Sequence, residues 1–242
     1  MNVRVYETKN SVATHFAAFL EEEIRGREEY HMALSGGSTP RILFEELSKT
    51  DRYKIDWKKV YLYWGDERCV PPNDEESNYK MTVDHLLRNV PIPEENIHRI
   101  MGENEPSVEA LRYGILLERE LPSGSGIPVF DMVILGMGED GHTASIFPHE
   151  IHLWDSEQNC EVATHPESGQ KRVTITGRLI NNSKEVAFLV TGAGKADKVQ
   201  SILGKSQGYR QYPAALVEPV SGKLSWYLDA EAASALQSLN SD

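Results

Sequence analysis

The sequence predicts an α/β fold, a mostly parallel sheet with helices on both faces. Three observations carry this. Short apolar runs rich in Val, Ile, Leu and Tyr alternate with longer stretches of helical period, four of the apolar runs end in glycine-bearing polar loops, and no Pro/Ser-rich linker or internal repeat divides the chain. Alternating strand and helix segments imply βαβ units, because parallel neighbours need a crossover and a helix supplies it. With 242 residues, 40% hydrophobic and 26% charged, the chain can bury a substantial core, and it reads as one domain over residues 1–242.

The elements follow in order. Residues 3–6 form the first predicted strand. Over 11–27 the apolar residues Ala13, Phe16, Ala17, Leu20 and Ile24 recur at spacings of three and four, the period of a helix with one buried face. A strand at 31–34 leads to a helix at 40–48, with Thr39 as its cap and Pro40 in its first position. Further strands are expected at 60–64, 130–135, 172–176, 186–191 and 225–228, and further helices at 77–87, 107–120, 195–203 and 230–239. Ser123-Gly124-Ser125-Gly126 is a short loop, and 148–171, the least regular stretch, is either an active-site flap or a long surface connection.

The formal net charge of -12 disfavours nucleic-acid and anionic-membrane partners, which need a contiguous basic surface. It leaves room for a small anion held by a few clustered cations. No run approaches the roughly 18 apolar residues of a membrane span, and the first residues lack a secretory signal, so a cytoplasmic protein is expected. The two cysteines, Cys69 and Cys160, form no Cys-x-x-Cys pair; of a disulfide and two free thiols, the thiols are favoured. The oligomeric state is left open between a monomer and a weak dimer.

Ligands of open parallel sheets bind beyond the C-terminal strand ends. Four predicted strands end there in polar loops: Ser35-Gly36-Gly37-Ser38-Thr39, Gly65-Asp66-Glu67-Arg68, Gly136-Met137-Gly138-Glu139-Asp140-Gly141-His142-Thr143 and Gly192-Ala193-Gly194-Lys195. The first has the makings of a phosphate cradle, since paired glycines allow close backbone approach and the helix behind points N–H groups outward. Its plainer alternative is a capped strand-to-helix turn. Arg68 and Lys195 add positive charge at neighbouring strand ends. Gly136-x-Gly138-x-x-Gly141 matches a dinucleotide fingerprint, but Pro148 leaves barely a turn of helix after it; Gly192–Lys195 lacks the earlier glycine of a nucleotide P-loop. Neither reading is adopted, and no cofactor is expected.

Asp140 and His142 remain as the chemical pair. Two residues apart on a turn, the carboxylate can fix the imidazole's tautomer; if Thr143 opened a short helix, its dipole would favour neutral imidazole. No Gly-x-Ser-x-Gly elbow, activated cysteine or metal-ligand motif accompanies them. Metal-free acid/base chemistry on a small anion is the reading.

These motifs resemble the 6-phosphogluconolactonase family. The resemblance rests on Leu34 to Pro40, on Trp64-Gly65-Asp66-Glu67-Arg68-Cys69-Val70-Pro71, on Ser77-Asn78-Tyr79 and on the long Leu135 to Pro148 segment. Arg172-Val173-Thr174, Gly194-Lys195-Ala196 and Trp226-Tyr227-Leu228-Asp229 continue it in the family's order. It implies a Rossmann-like sheet shared with glucosamine-6-phosphate deaminase and ribose-5-phosphate isomerase relatives. It further implies hydrolysis of 6-phospho-D-glucono-1,5-lactone to 6-phosphogluconate, the second step of the oxidative pentose phosphate pathway. His142 carries over as the base for water, Asp140 as its orienter and Arg68 as a stabiliser of phosphate or oxyanion. Ser35, Gly36, Gly37, Ser38, Thr39, Arg68, Arg172 and Lys195 carry over as the substrate-binding set. The chain departs from the family's frequent Lys-Pro-Pro before Arg172, having Ser168-Gly169-Gln170-Lys171. A deaminase loop usually continues Ala-Phe-Asn-Glu-Pro, whereas this one reads Ala144-Ser145-Ile146-Phe147-Pro148, which lacks the acidic residue. A non-catalytic sugar-phosphate sensor is the other alternative, and the retained Asp140 and His142 argue against it.

Overall fold

The computed structural model describes residues 1–123 and 126–236. Gly124 and Ser125 of the predicted loop, and the end of the predicted last helix from 237, lie outside the described residues.

The strands are β1 (Asn2–Tyr6), β2 (Tyr30–Leu34), β3 (Val60–Trp64), β4 (Asp66–Arg68), β5 (Ile97–His98), β6 (Met132–Leu135), β7 (Cys160–Thr164), β8 (Lys171–Ile175), β9 (Val186–Val190) and β10 (Leu224–Asp229). Between them run α1 (Lys9–Ile24), α2 (Ser38–Leu47), α3 (Asn78–His85), α4 (Pro106–Glu120), α5 (Gly177–Asn182) and α6 (Ala196–Leu203). Seven strands form one parallel sheet in the order β1-β10-β9-β6-β2-β3-β5. Every residue of β2, β6 and β9 is buried, which is why these strands, His31 of β2 aside, read as continuous apolar runs without polar alternation: both faces of the sheet are covered. The helical period in α1 is a true buried face, with Val12 joining the five residues that marked it.

From β2 the chain winds outward to β3 and β5, then returns to lay β6 on the other side of β2 and continues to β9 and β10. The direction of winding therefore reverses between β2 and β6. At such a switch point the loops leaving adjacent strands diverge and leave a crevice. The loops leaving here are 35–37 and 136–147, two of the glycine-bearing polar segments.

Several expectations are corrected. The strand bearing Arg172 is not in the parallel sheet. It is β8, the centre of a separate antiparallel sheet ordered β4-β8-β7. Asp66, Glu67 and Arg68, read as loop, are its edge strand β4; three polar residues carry no alternation signal, and only pairing with a segment about a hundred residues away makes them extended. The irregular stretch 148–171 contains a 3₁₀ segment (Pro148–Asp155) and β7, which packs on α4. Thr39 does not cap α2: the helix begins at Ser38 after Gly37, whose φ of 107° turns the chain two residues early, and the Thr39 hydroxyl pairs with Thr191 Oγ1 at 2.7 Å. Thr143 opens no helix; it bridges to Ile146, and its hydroxyl donates to the Gly136 carbonyl at 2.9 Å. Residues 230–235 make turns, the first of which is closed by the Asp229 carboxylate accepting the Ala232 N–H. Both cysteines are free. Among the described residues, no helix is long and apolar enough to cross a membrane.

Candidate active site

The switch-point crevice is a cleft of about 250 Å³. Residues 35–39 from the β2 loop, His142 from the β6 loop, Lys195 beyond β9, and Arg68 and Arg172 from the small sheet all line it. Asp140 stands behind His142 and does not reach the cleft wall. The eight residues expected to hold substrate, scattered over 160 positions of sequence, thus meet in one place.

The histidine is held from three sides. Asp140 Oδ1 lies 2.6 Å from His142 Nδ1 and accepts the His142 backbone N–H at 3.1 Å, while the ring packs 4.7 Å from the Phe147 centroid. Gly138 is required here: a Cβ on it would lie 2.2 Å from His142 Nδ1 and 2.5 Å from Asp140 Oδ1. The glycine spacing that imitates a dinucleotide loop makes room for the histidine–aspartate pair. Burial pushes the Asp140 carboxyl up, but the hydrogen bonds and charge of His142 outweigh it and hold Asp140 at about 2. An ionised carboxylate only accepts. His142 Nδ1 therefore carries a hydrogen in either charge state of the ring, and in the neutral imidazole Nε2 keeps the lone pair that can take a proton.

Arg68 and Arg172 form the basic wall. They are direct cross-strand partners in the β4–β8 ladder, a placement that puts like charges face to face and is unfavourable without an anion. Each Nε is buried with no hydrogen-bond partner among the described residues. Arg68 Nη1 donates to the Glu76 carbonyl, and Arg172 Nη1 lies 3.4 Å from Ser145 Oγ with its guanidinium 5.6 Å from the Phe147 ring. Burial lowers the Arg172 pKa from its ordinary value; Asp66 opposes that and Arg68 adds to it.

Two hydroxyls expected in the cradle are committed elsewhere. Ser35 Oγ donates to the Ile134 carbonyl at 2.8 Å, and Thr39 Oγ1 is paired with Thr191. Ser35 and Thr39 thus stitch the β2 loop to β6 and to the end of β9, leaving the loop backbone and Ser38 to meet an anion.

Asp66, Asn78 and Ser145 also belong to the site and were not singled out as functional from sequence. Asp66 and Asn78 line the cleft; the Asn78 amide donates to the Asp66 carbonyl at 2.9 Å, and Ser145 Oγ donates to the Asp66 carboxylate. A Cβ on Gly36 would overlap Asn78 Oδ1 at 1.8 Å, so that glycine lets the cradle close against α3. The available signal was their position inside the Gly65–Arg68, Ser77–Tyr79 and Ala144–Pro148 motifs. Among the described residues, no group of three or more His, Cys, Asp or Glu is placed to hold a metal ion.

A histidine–carboxylate pair sharing a cleft with a glycine-bearing cradle and two arginines, at the switch point of a parallel sheet, marks the class of α/β enzymes that act on small anionic metabolites. Residues 6–226 match the family described as glucosamine-6-phosphate isomerases/6-phosphogluconolactonase, and the chain belongs to that family, on its 6-phosphogluconolactonase side. The chain is 47% identical over 203 residues to a 6-phosphogluconolactonase of Haemophilus influenzae, covering 84% of this chain and 85% of that one. Its fold superposes on the structure of 6-phosphogluconolactonase from Trypanosoma brucei with a TM-score of 0.85 at 29% identity, covering 97% and 98% of the two chains. A monomeric glucosamine-6-phosphate deaminase shares the fold alone, at 19% identity and a TM-score of 0.83, with 97% of this chain and 100% of that one covered.

Proposed function

We propose that this enzyme hydrolyses 6-phospho-D-glucono-1,5-lactone to 6-phosphogluconate through water activated by His142. The observation that carries the reading is the Asp140–His142 pair, whose Nε2 belongs to a residue lining the same cleft as two half-buried arginines whose Nε atoms have no hydrogen-bond partner among the described residues. His142 Nε2 takes a proton from water as the water oxygen bonds to the lactone carbonyl carbon. The imidazolium, supported by the ionised Asp140, then gives that proton to the ring oxygen as its bond to the carbonyl carbon breaks. Arg68, Arg172 and nearby N–H groups balance the negative charge of the carbonyl oxygen and of the substrate; one well-placed donor is worth roughly 3 kcal/mol in such steps. The backbone of 35–39 and Lys195 hold the 6-phosphate away from the reacting carbon, so that remote binding orients the ring.

Residues 1–242 act in this reading as one catalytic domain, since the cleft draws on loops from the second to the ninth strand. The test is His142→Ala: turnover above the enzyme-free rate falls by about a hundredfold or more, while 6-phosphogluconate still binds. Unchanged turnover removes His142 from the mechanism. Release of ammonia from glucosamine 6-phosphate by the wild-type enzyme would instead favour the deaminase branch.

A further inference from the structure

Glu67 is the member of the Gly65-Asp66-Glu67-Arg68 motif to which the proposed chemistry assigns nothing, yet it is only 2% exposed. A buried carboxylate that forms no ion pair among the described residues needs another reason to be there. Its two oxygens each accept two hydrogen bonds. Oε1 takes the backbone N–H of Arg68 at 2.7 Å and of Asn78 at 2.8 Å; Oε2 takes the Tyr79 N–H at 2.8 Å and the Ser77 hydroxyl at 3.0 Å. All four acceptor positions are filled, and three of the donors are main-chain groups. Burial raises the Glu67 pKa from its ordinary value, and these four bonds pull against it. Asn78 and Tyr79 are the first residues of α3, whose leading N–H groups have no partner within the helix. Glu67 caps that helix from another element, β4, and in doing so fastens α3 to the strand that carries Arg68.

Both ends of this fastening face substrate. Arg68 and Asn78 line the cleft, Asn78 also donates its side-chain amide to the Asp66 carbonyl, and Gly36 of the cradle closes against its Oδ1. β4 has only three residues and lies at the edge of its sheet, so its own ladder supplies little rigidity.

We infer that Glu67 is a positioning residue: its carboxylate locks β4 to the start of α3, so that Arg68 and Asn78 enter the cleft as one preorganised wall for the phosphosugar. The inference rests on the proposed lactonase reaction for its kinetic readout. It explains the need for a carboxylate in particular. An amide in the same place presents an NH₂ to donors on one side, leaves the Tyr79 or Asn78 N–H unpaired, and frees the wall.

The test compares Glu67→Gln, Asn78→Ala, the double variant and Ser77→Ala as full-length proteins. Lactone hydrolysis is corrected for the spontaneous rate, 6-phosphogluconate binding is measured by calorimetry, and thermal midpoints are recorded. Glu67→Gln is expected to raise KM and the 6-phosphogluconate Kd about tenfold, the scale of one charge-assisted bond, with kcat within about twofold. The double variant should show less than the product of the two single effects, because both act through the same wall. Ser77→Ala removes one donor to Oε2 and should shift KM the same way by about threefold. Unchanged KM and Kd in Glu67→Gln, or multiplicative effects in the double variant, would overturn the assignment. If Glu67→Gln does not fold, Ser77→Ala decides: an unchanged KM there overturns it. If the wild-type enzyme leaves the lactone untouched, the assigned reaction falls, and calorimetry alone still tests the lock.

Discussion

At the residue scale, His142 depends on Asp140 through a 2.6 Å contact that settles which ring nitrogen is free. Asp140→Asn keeps the shape but presents an amide, which can donate to Nδ1 and turn the lone pair away from the cleft. The expected result is a kcat loss of about three to four orders of magnitude with KM little changed, read by steady-state kinetics. A pH consequence follows. The folded-state pKa of Asp140 is depressed to about 2 from an ordinary 3.8. The ionised carboxylate therefore contributes stability that is present above the ordinary value and is lost as pH falls through the folded one. Urea unfolding between pH 5 and 2 should show a shallower decline for Asp140→Asn than for the wild type. Exposure of Asp140 keeps this contribution small.

At the element scale, two buried carboxylates help to hold the segments around the cleft by accepting their main-chain N–H groups. Glu67 performs that task for β4 and α3, and Asp229, at the end of β10, performs it for the Lys195 loop. Asp229 is 4% exposed and accepts the Gly192 N–H with both oxygens, at 3.0 and 3.1 Å. Gly192, with a φ of 96°, begins the turn that brings Lys195 into the cleft. Lys195→Ala should raise KM with kcat nearly unchanged, because a phosphate contact far from the reacting carbon is made equally in ground and transition states. Asp229→Ala should reproduce that KM rise in weaker form through the loop. A loss of kcat in Lys195→Ala with intact affinity would contradict the phosphate assignment.

At the scale of the whole molecule, the sheet carries one acid-sensitive packing feature away from the cleft. His31 on β2 and His98 on β5 are interleaved with Tyr61 and Tyr63 of β3 in a run of stacked rings, with centroid separations of 4.7 to 6.3 Å. His98 Nε2 and His31 Nε2 are buried without hydrogen-bond partners among the described residues. Glu29 and Glu120 lie nearby, and Asp131 accepts the His31 backbone N–H at 2.9 Å. Burial lowers the His98 pKa from its ordinary 6.5, and Glu120 opposes the shift only partly. A histidine kept neutral in the folded state binds its proton more readily when unfolded, so stability falls as pH drops below about 6.5. His98→Phe should flatten the decline of thermal midpoint between pH 7 and 5, measured by calorimetry, and leave lactone turnover unaltered.

Much of this architecture was legible before any coordinates. The continuous apolar runs of β2, β6 and β9 announced strands buried on both faces, and the spacing in α1 announced its buried side. The long Leu135–Pro148 segment marked the histidine loop, because local steric demands such as the bare Cα of Gly138 are written into the residues themselves. Other features were invisible for a common reason. Asp66–Arg68 becomes a strand only when β8 arrives beside it, Ser35 and Thr39 prove to be stitches because Ile134 and Thr191 lie within reach, and Glu67 becomes a lock only once α3 folds back over β4. Periodicity and turn chemistry are properties of neighbours in sequence, and the sequence by itself therefore determined the parallel sheet, its polar loops and the Asp140–His142 pair. Hydrogen-bond partners and opposed charges depend on distance in space. Only the tertiary structure decided that Arg68 would face Arg172, that two hydroxyls would leave the cradle, and that buried carboxylates would hold its walls.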